Sequence, residues 1–235
     1  MTLSHRVAEL SRVNVGGLYV QTTEADAATV ELAQMCRREG WRFVTWDFCR
    51  GLGSNGFELD SLLAPTIGDP VAALMAVSTL GSQPGTTLLA LRGFHRFLDR
   101  PDVVLTLERQ LTAARGLRLV LIILAPIVSL SVECERQFVV IEHELPKRAE
   151  LFQILCRVTA ESERTPWGAG LESVLNAASG MTRRDAEMAF RLSMVRNGRV
   201  TPNSVSSIRV EMLTSVSVTK SVPELPQCLQ QNSLD

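Results

Sequence analysis

Lysine is almost absent from this chain. Lys147 and Lys220 are the only lysines among its 24 Lys and Arg residues, so arginine carries nearly all of the positive charge. The formal net charge of -1 gives no electrostatic indication of nucleic acid or an acidic membrane surface as the partner. Any phosphate-binding motif that needs a lysine before residue 147 is excluded by the composition.

The sequence also lacks a long apolar run and a cluster of metal ligands. Its longest apolar stretch, Leu119 to Leu130, has 12 residues and contains Pro126, whereas a helix that crosses a bilayer needs about 20. The amino terminus has no apolar segment of the kind found in signal peptides, so we expect a cytoplasmic protein without a membrane anchor. The cysteines are scattered without a C-x-x-C pair and the three histidines do not cluster with them, so we expect free thiols and no metal site.

Apolar segments alternate with helical patterns through the first part of the chain. Parallel strands covered on both faces by helices have near-continuous apolar runs of this kind. The predicted strands are Leu18–Val20, Trp41–Asp47, Leu88–Leu91, Leu117–Leu124 and Phe138–Ile141. The stretch Arg50 to Gly56 is rich in glycine and is interpreted as a loop. We therefore predict an α/β domain with a five-stranded parallel sheet and right-handed crossovers.

Beyond Pro146 the pattern becomes entirely helical. Asp69 before Pro70 in the first part, and Thr182 in the second, are typical N-caps of helices. The closing residues are rich in Ser, Gln and Pro and show no period. We predict an α/β core over residues 1–145, a small helical lid over 146–214, and a linker or disordered tail over 215–235.

Several short runs carry a resemblance to a known family. They are TWDFCRGL at 45–52, LALRGFHRFLDRPDVV at 89–104, LVLIILAP at 119–126, HELPKRAEL at 143–151 and GMTRRDAEMAF at 180–190. Together they resemble the degenerate N-terminal AAA-like module of cyanobacterial and chloroplast-type AAA family ATPases, over about residues 10–215. The resemblance implies a P-loop NTPase (AAA-like) sheet with a C-terminal helical lid, which precedes a full ATPase module in those relatives.

The parts that would hold a triphosphate and its metal ion are missing from the pattern. A Walker A loop needs G-x-x-x-x-G-K-[ST] after the first strand, but only Gln21-Thr22-Thr23 separates Val20 from the next helix. Arg92 stands at the end of the third strand, where nucleotide hydrolases carry a Mg²⁺-binding carboxylate. A cation there repels Mg²⁺, so we predict no catalytic residue, no metal site and no ATP hydrolysis.

Three functional hypotheses remain open. The first is a non-catalytic AAA-like module that acts through protein contacts as a scaffold or regulator, self-assembling or pairing with an active AAA ATPase. The second is a module that binds ATP, ADP or another phospholigand without rapidly hydrolysing it. Arg50, Arg92 and Arg183 would contact the phosphate, because a guanidinium forms paired hydrogen bonds with phosphate oxygens. The third is the N-terminal part of an AAA ATPase whose catalytic module lies outside this chain. His95 is interpreted as a packing residue rather than a general base.

Overall fold

A six-stranded sheet forms the centre of the N-terminal part of the chain. The computed structural model describes residues 2–54, 66–160, 166 and 168–218. The strands within these residues are β1 (Gly17–Gln21), β2 (Arg42–Asp47), β3 (Gly51–Ser54), β4 (Thr87–Arg92), β5 (Leu119–Ala125) and β6 (Phe138–Glu142). Their order across the sheet is β3-β2-β4-β5-β1-β6.

Helices connect the strands and make up the C-terminal part. They are α1 (Leu3–Arg12), α2 (Ala25–Glu39), α3 (Pro70–Gly81), α4 (Pro101–Arg115), α5 (Val132–Glu135), α6 (Arg148–Thr159), α7 (Ala169–Ala178), α8 (Arg183–Asn197) and α9 (Pro202–Val218), together with a 3₁₀ turn at Phe94–Phe97. The chain divides into two compact units, Met1–Glu144 and Leu145–Asp235. The sheet and α1–α5 belong to the first unit, and α6–α9 to the second.

Strand β5 lies at the centre of the sheet and is buried along its whole length. It pairs in parallel with β4 on one side and β1 on the other. Because side chains alternate along a strand, Leu121 and Ile123 pack with α3 and α4 on one face, while Ile122 and Leu124 pack with α1 and α2 on the other. The predicted α/β architecture with a largely parallel sheet is confirmed.

The strand count of five and the loop assignment at Arg50–Gly56 were wrong. Residues 51–54 form β3, which pairs antiparallel with β2 at the edge of the sheet, while 55 and 56 lie outside the described residues. Asp47 Oδ1 accepts the N–H groups of Cys49 (3.0 Å) and Arg50 (2.9 Å), and this turn reverses the chain. Glycine has little intrinsic strand propensity, so the strand arises from pairing with β2 rather than from its own composition.

Helix boundaries follow the predicted caps. The Asp69 carboxylate accepts the N–H groups of Val71 and Ala72 at the start of α3, and Thr182 Oγ1 accepts that of Asp185 at the start of α8. The tail prediction is wrong at its beginning, because residues 215–218 continue α9. The rest of that predicted tail, 219–235, lies outside the described residues.

The second unit has a core of its own. Leu155 of α6, Val174 and Ala178 of α7, Phe190 of α8 and Val205 of α9 are fully buried together. Thr159 Oγ1 at the end of α6 donates to the Leu155 carbonyl at 2.9 Å, which provides a partner for a buried hydroxyl. The helical pattern after Pro146 therefore corresponds to a packed helical unit.

Gly17 marks a position in β1 where no side chain fits. A Cβ there would lie 2.8 Å from the Gln137 carbonyl oxygen and 2.9 Å from Leu111 Cδ2. We expect Gly17→Ala to lower the free energy of unfolding by about 1–3 kcal/mol through overpacking, measured by urea denaturation. Gly53→Ala is the control, since its nearest neighbour lies at 3.7 Å, and its change should stay within about 0.5 kcal/mol. Equal effects of the two substitutions would contradict the packing argument.

Candidate functional site

A cavity of about 890 Å³ opens at the carboxyl edge of the sheet in the first unit. Ligands of open α/β sheets bind at this edge, because loops rather than hydrogen-bonded strands surround it. The residues that line it lie at the ends of β1, β2, β4 and β5 or shortly after them: Thr22, Thr23, Ala25, Asp26, Asp47, Phe48, Cys49, Arg50, Arg92, Gly93, His95, Arg96, Phe97, Leu124, Ala125 and Pro126. The predicted corners of the parallel strands therefore meet at one site.

The connection from β1 to α2 is short and bonded to its surroundings. The Thr22 N–H donates to the Ala125 carbonyl at 2.7 Å, and Thr22 Oγ1 accepts the Glu24 N–H at 3.0 Å. A phosphate loop needs several backbone N–H groups directed at its ligand, together with a lysine. Here two of those N–H groups already have partners within the protein, and no lysine is present in this connection.

A series of largely buried polar contacts holds the connection between β1 and α2 in place. Thr22 Oγ1 lies 2.8 Å from His143 Nδ1, and His143 Nε2 lies 3.6 Å from Glu31 Oε2. Glu31 also accepts the Ser4 N–H at 2.8 Å. The contact with His143 lowers the pKa of Glu31 from 4.5 to about 2, against the opposing effect of burial. Four elements, α1, α2, β1 and the end of β6, are thereby joined through side chains.

Arg92 leaves β4 and reaches the first turn of α2. Its Nη2 lies 2.5 Å from Asp26 Oδ1, in an ion pair between residues 66 positions apart. The Arg92 side chain is 27% exposed and that of Asp26 is 89% exposed. A carboxylate in the first turn of a helix is also stabilised by the helix dipole. The guanidinium therefore stands at the corner where a hydrolase would hold its metal ion, bound to an acid of the same chain.

The charges around the cavity nearly balance. Arg50 and Arg96 are exposed and form no ion pair with the described residues. His95 does not add a charge at neutral pH, because burial and the neighbouring Arg96 lower the pKa of its imidazole. Its Nδ1 is buried and has no hydrogen-bond partner among the described residues. The lining contains the arginines 50, 92 and 96 and the aspartates 26 and 47, so the cavity has a formal excess of one positive charge.

One wall of the cavity is aromatic, a feature that no local sequence pattern predicts. Phe48 stacks on Phe97, with ring centroids 5.4 Å apart and planes inclined by 20°. Phe97 in turn packs edge-on against Trp46 and Phe94, at 6.1 and 6.0 Å. Phe48 itself is 46% exposed. The fully buried rings of Trp46 and Phe94 thus support the partly buried Phe97, which in turn holds the half-exposed ring of Phe48 against the cavity.

The structure separates the predicted phosphate contacts into two groups. Arg50 and Arg92 line the same cavity. Arg183 belongs to the second unit, where its Nη2 pairs with Glu150 Oε2 at 2.8 Å. Within the described part of the chain, no group of three or more His, Cys, Asp or Glu side chains is arranged to hold a metal ion. No helix among these residues is long and apolar enough to cross a bilayer.

The strand order and the cavity at the carboxyl edge of the sheet are those of a doubly wound α/β domain, and comparison with known families assigns this domain to the AAA class of P-loop folds. Residues 3–143 match the family model of the SpoVK-like AAA ATPase N-terminal domain, and residues 149–211 match that of the SpoVK-like AAA ATPase second domain. The chain belongs to the SpoVK-like AAA ATPase family. The AAA resemblance seen in the sequence is thus confirmed, whereas the cyanobacterial and chloroplast type and the degeneracy of the module stay predictions.

Solved structures, among them an AAA domain, share this fold at low sequence identity. PCH-2 from C. elegans is 13% identical with a TM-score of 0.57, over 92% of this chain and 67% of that one. The FIGL-1 AAA domain in complex with ADP is also 13% identical with a TM-score of 0.57, over 87% and 77% of the two chains. A chain of the E. coli MS115-1 HORMA:CdnC:Trip13 complex is 11% identical with a TM-score of 0.56, over 83% of this chain and 73% of that one. A comparison with curated protein sequences gives no match.

The pKa of Glu31 predicts how stability depends on pH. Its folded pKa of about 2 lies below its ordinary value of 4.5. The ionised form is therefore favoured by folding, and this stabilisation is present above about pH 5 and lost as the pH falls from 4.5 towards 2. We expect Glu31→Gln to remove on the order of 2 kcal/mol of unfolding free energy at pH 6, and about half of that or less at pH 3.

Urea denaturation across this pH range measures the effect, with Glu9→Gln on the surface of α1 as the control. His143→Asn should show the same loss, and the double variant should lose less than the sum of the two single losses, because both side chains act in one contact. A Glu31→Gln curve that runs parallel to that of the unchanged protein at every pH would contradict the assignment.

Proposed function

We propose that this chain is a non-catalytic AAA-like module that acts through protein contacts, as a scaffold or regulator. One observation supports this above all others: the three-residue connection from β1 to α2 has two of its N–H groups bound internally and contains no lysine. Phosphoryl transfer depends on positioning and on charge stabilisation of the phosphates. A domain without the phosphate loop retains the AAA scaffold and can still make protein contacts through its surface.

The corner after β4 supports the same proposal. Arg92 stands there in place of a metal-binding carboxylate and is held by Asp26. Loss of one charge-stabilising group can lower the rate of phosphoryl transfer by about 10³ to 10⁵. Loss of the phosphate loop and of the metal ligand together leaves no rate above background.

The structural neighbours favour a role in protein assemblies. One of them is a chain of a complex of HORMA, CdnC and Trip13. We propose that the present chain likewise acts in an assembly, either with copies of itself or with an active AAA ATPase.

A second candidate is that the chain is the N-terminal part of an AAA ATPase. The two family models that match it describe an N-terminal and a second domain of such ATPases. A GKT-type phosphate loop encoded downstream in the same reading frame would support this candidate, and a stop codon directly after Asp235 would remove it.

The third candidate, binding of ATP, ADP or another phospholigand without hydrolysis, rests on the cavity that Arg50 and Arg92 share. Asp26 and Asp47 line the same cavity and oppose a polyanion. Calorimetry with ATP, ADP and Mg²⁺ decides: heats equal to those of dilution at millimolar ligand would exclude it.

We expect the purified chain to release phosphate from ATP and Mg²⁺ no faster than buffer alone, because the phosphate loop and metal ligand are missing. A phosphate-release assay at millimolar ATP measures this, with a P-loop ATPase as the positive control. Release above background that disappears in Arg92→Gln would contradict the non-catalytic assignment.

We also expect the chain to assemble, alone or with an AAA ATPase of its host. Size-exclusion chromatography with light scattering gives the mass of the chain alone over a range of concentrations, and co-purification from the native host tests for an ATPase partner. A strictly monomeric chain that recovers no AAA protein would overturn the scaffold proposal.

A further inference from the structure

We propose that the cavity at the carboxyl edge of the sheet binds a carboxylate side chain that lies next to an aromatic or large apolar residue on a segment of a partner protein. This inference rests on the proposed protein-contact function and specifies the chemistry of the contact. It is carried by the bonding state of Arg92, the charge balance of the cavity and the exposed ring of Phe48.

Arg92 has unused hydrogen-bonding capacity. Its Nη2 binds one oxygen of Asp26, which is the one contact given for this guanidinium among the described residues, while its Nε is buried, so a partner's carboxylate is received by the two Nη groups. A guanidinium favours two parallel bonds to one carboxylate. The Asp26 side chain is 89% exposed, so its bond to Arg92 is worth little in water. A carboxylate delivered by a partner can therefore replace Asp26 at this position.

The charge balance selects a single carboxylate over a polyphosphate. With His95 neutral, three arginines and two aspartates leave one excess positive charge in the cavity. One carboxylate neutralises that excess. A triphosphate carries several negative charges, and without a metal ion it would be repelled by Asp26 and Asp47.

The aromatic wall supplies the second part of the recognition. Phe97 supports one face of Phe48, and Phe48 remains 46% exposed at the cavity mouth. Leu124, Ala125 and Pro126 extend the apolar surface. A volume of about 890 Å³ is at the upper end of the range for ligand pockets, about 300–1,000 Å³. A residue beside the carboxylate that packs on Phe48 buries apolar area in addition to the ion pair.

The test measures the binding of capped peptides to the full chain by calorimetry and by fluorescence anisotropy. The peptides have a glycine-serine background. The probe peptide places one aspartate next to one phenylalanine. Its controls replace the aspartate with asparagine, or the phenylalanine with alanine. We expect the probe to bind about tenfold more tightly than the asparagine control, the effect of one charge-assisted pair.

Variants of the protein locate the contact. Arg92→Gln should abolish the preference for the aspartate peptide over the asparagine peptide. Phe48→Ala should abolish the preference for the phenylalanine peptide over the alanine peptide. Arg37→Gln, on the exposed end of α2, is the matched control and should retain both preferences. Asp26→Asn removes the internal competitor and should tighten binding by about threefold. A purely structural role of the Arg92–Asp26 pair would not produce tighter binding.

The outcomes separate the two proposals. Equal binding of the aspartate and asparagine peptides, no binding at millimolar concentration, or weaker binding by Asp26→Asn would each overturn this inference, even if the chain assembles as proposed. Tighter binding of ATP than of the probe peptide would overturn it in favour of a phospholigand. If a second copy of the chain competes with the probe peptide, the partner segment belongs to the chain itself.

Discussion

The hydrogen bonds of Thr22, between β1 and α2, are the constraint on which the rest of the site depends. The Thr22 N–H is bound to β5, its hydroxyl oxygen caps the N–H of Glu24, and the same oxygen meets the imidazole of His143. These bonds require α2 to begin directly beyond β1. The first turn of α2 then brings Asp26 within reach of Arg92. A longer connection, of the length that surrounds a phosphate, would break this arrangement.

Much of the fold could be predicted from apolar runs and helix caps. The buried run around Ile122 identified a central parallel strand, and Asp69 and Thr182 marked helix starts. Strand β3 was missed because its pairing with β2 and the turn at Asp47 stabilise it, whereas its own residues have low strand propensity. A local sequence pattern predicts an element best where the element's own residues are apolar and buried, and poorly where pairing with a neighbouring strand stabilises it.

The candidate site could be predicted only in part. Arg92 was identified because it follows a buried strand, and Arg50 because it lies beside a glycine-rich stretch. The partners of these residues are distant in sequence, as with Asp26 and Arg92, or Glu31 and His143, and no local period connects them. The exposure of Phe48 depends on its stacking with Phe97, which only the folded chain determines.

The aromatic cluster beneath the cavity has a consequence for observation. The Trp46 indole is fully buried, donates through its Nε1 to the Thr66 carbonyl at 2.9 Å, and touches the edge of Phe97. Any displacement of the Phe48–Phe97 pair changes the surroundings of this indole. Trp46, one of three tryptophans in the chain, is therefore a built-in optical probe, and the part of the protein's fluorescence that comes from it reports events at the sheet edge without a dye or a tag.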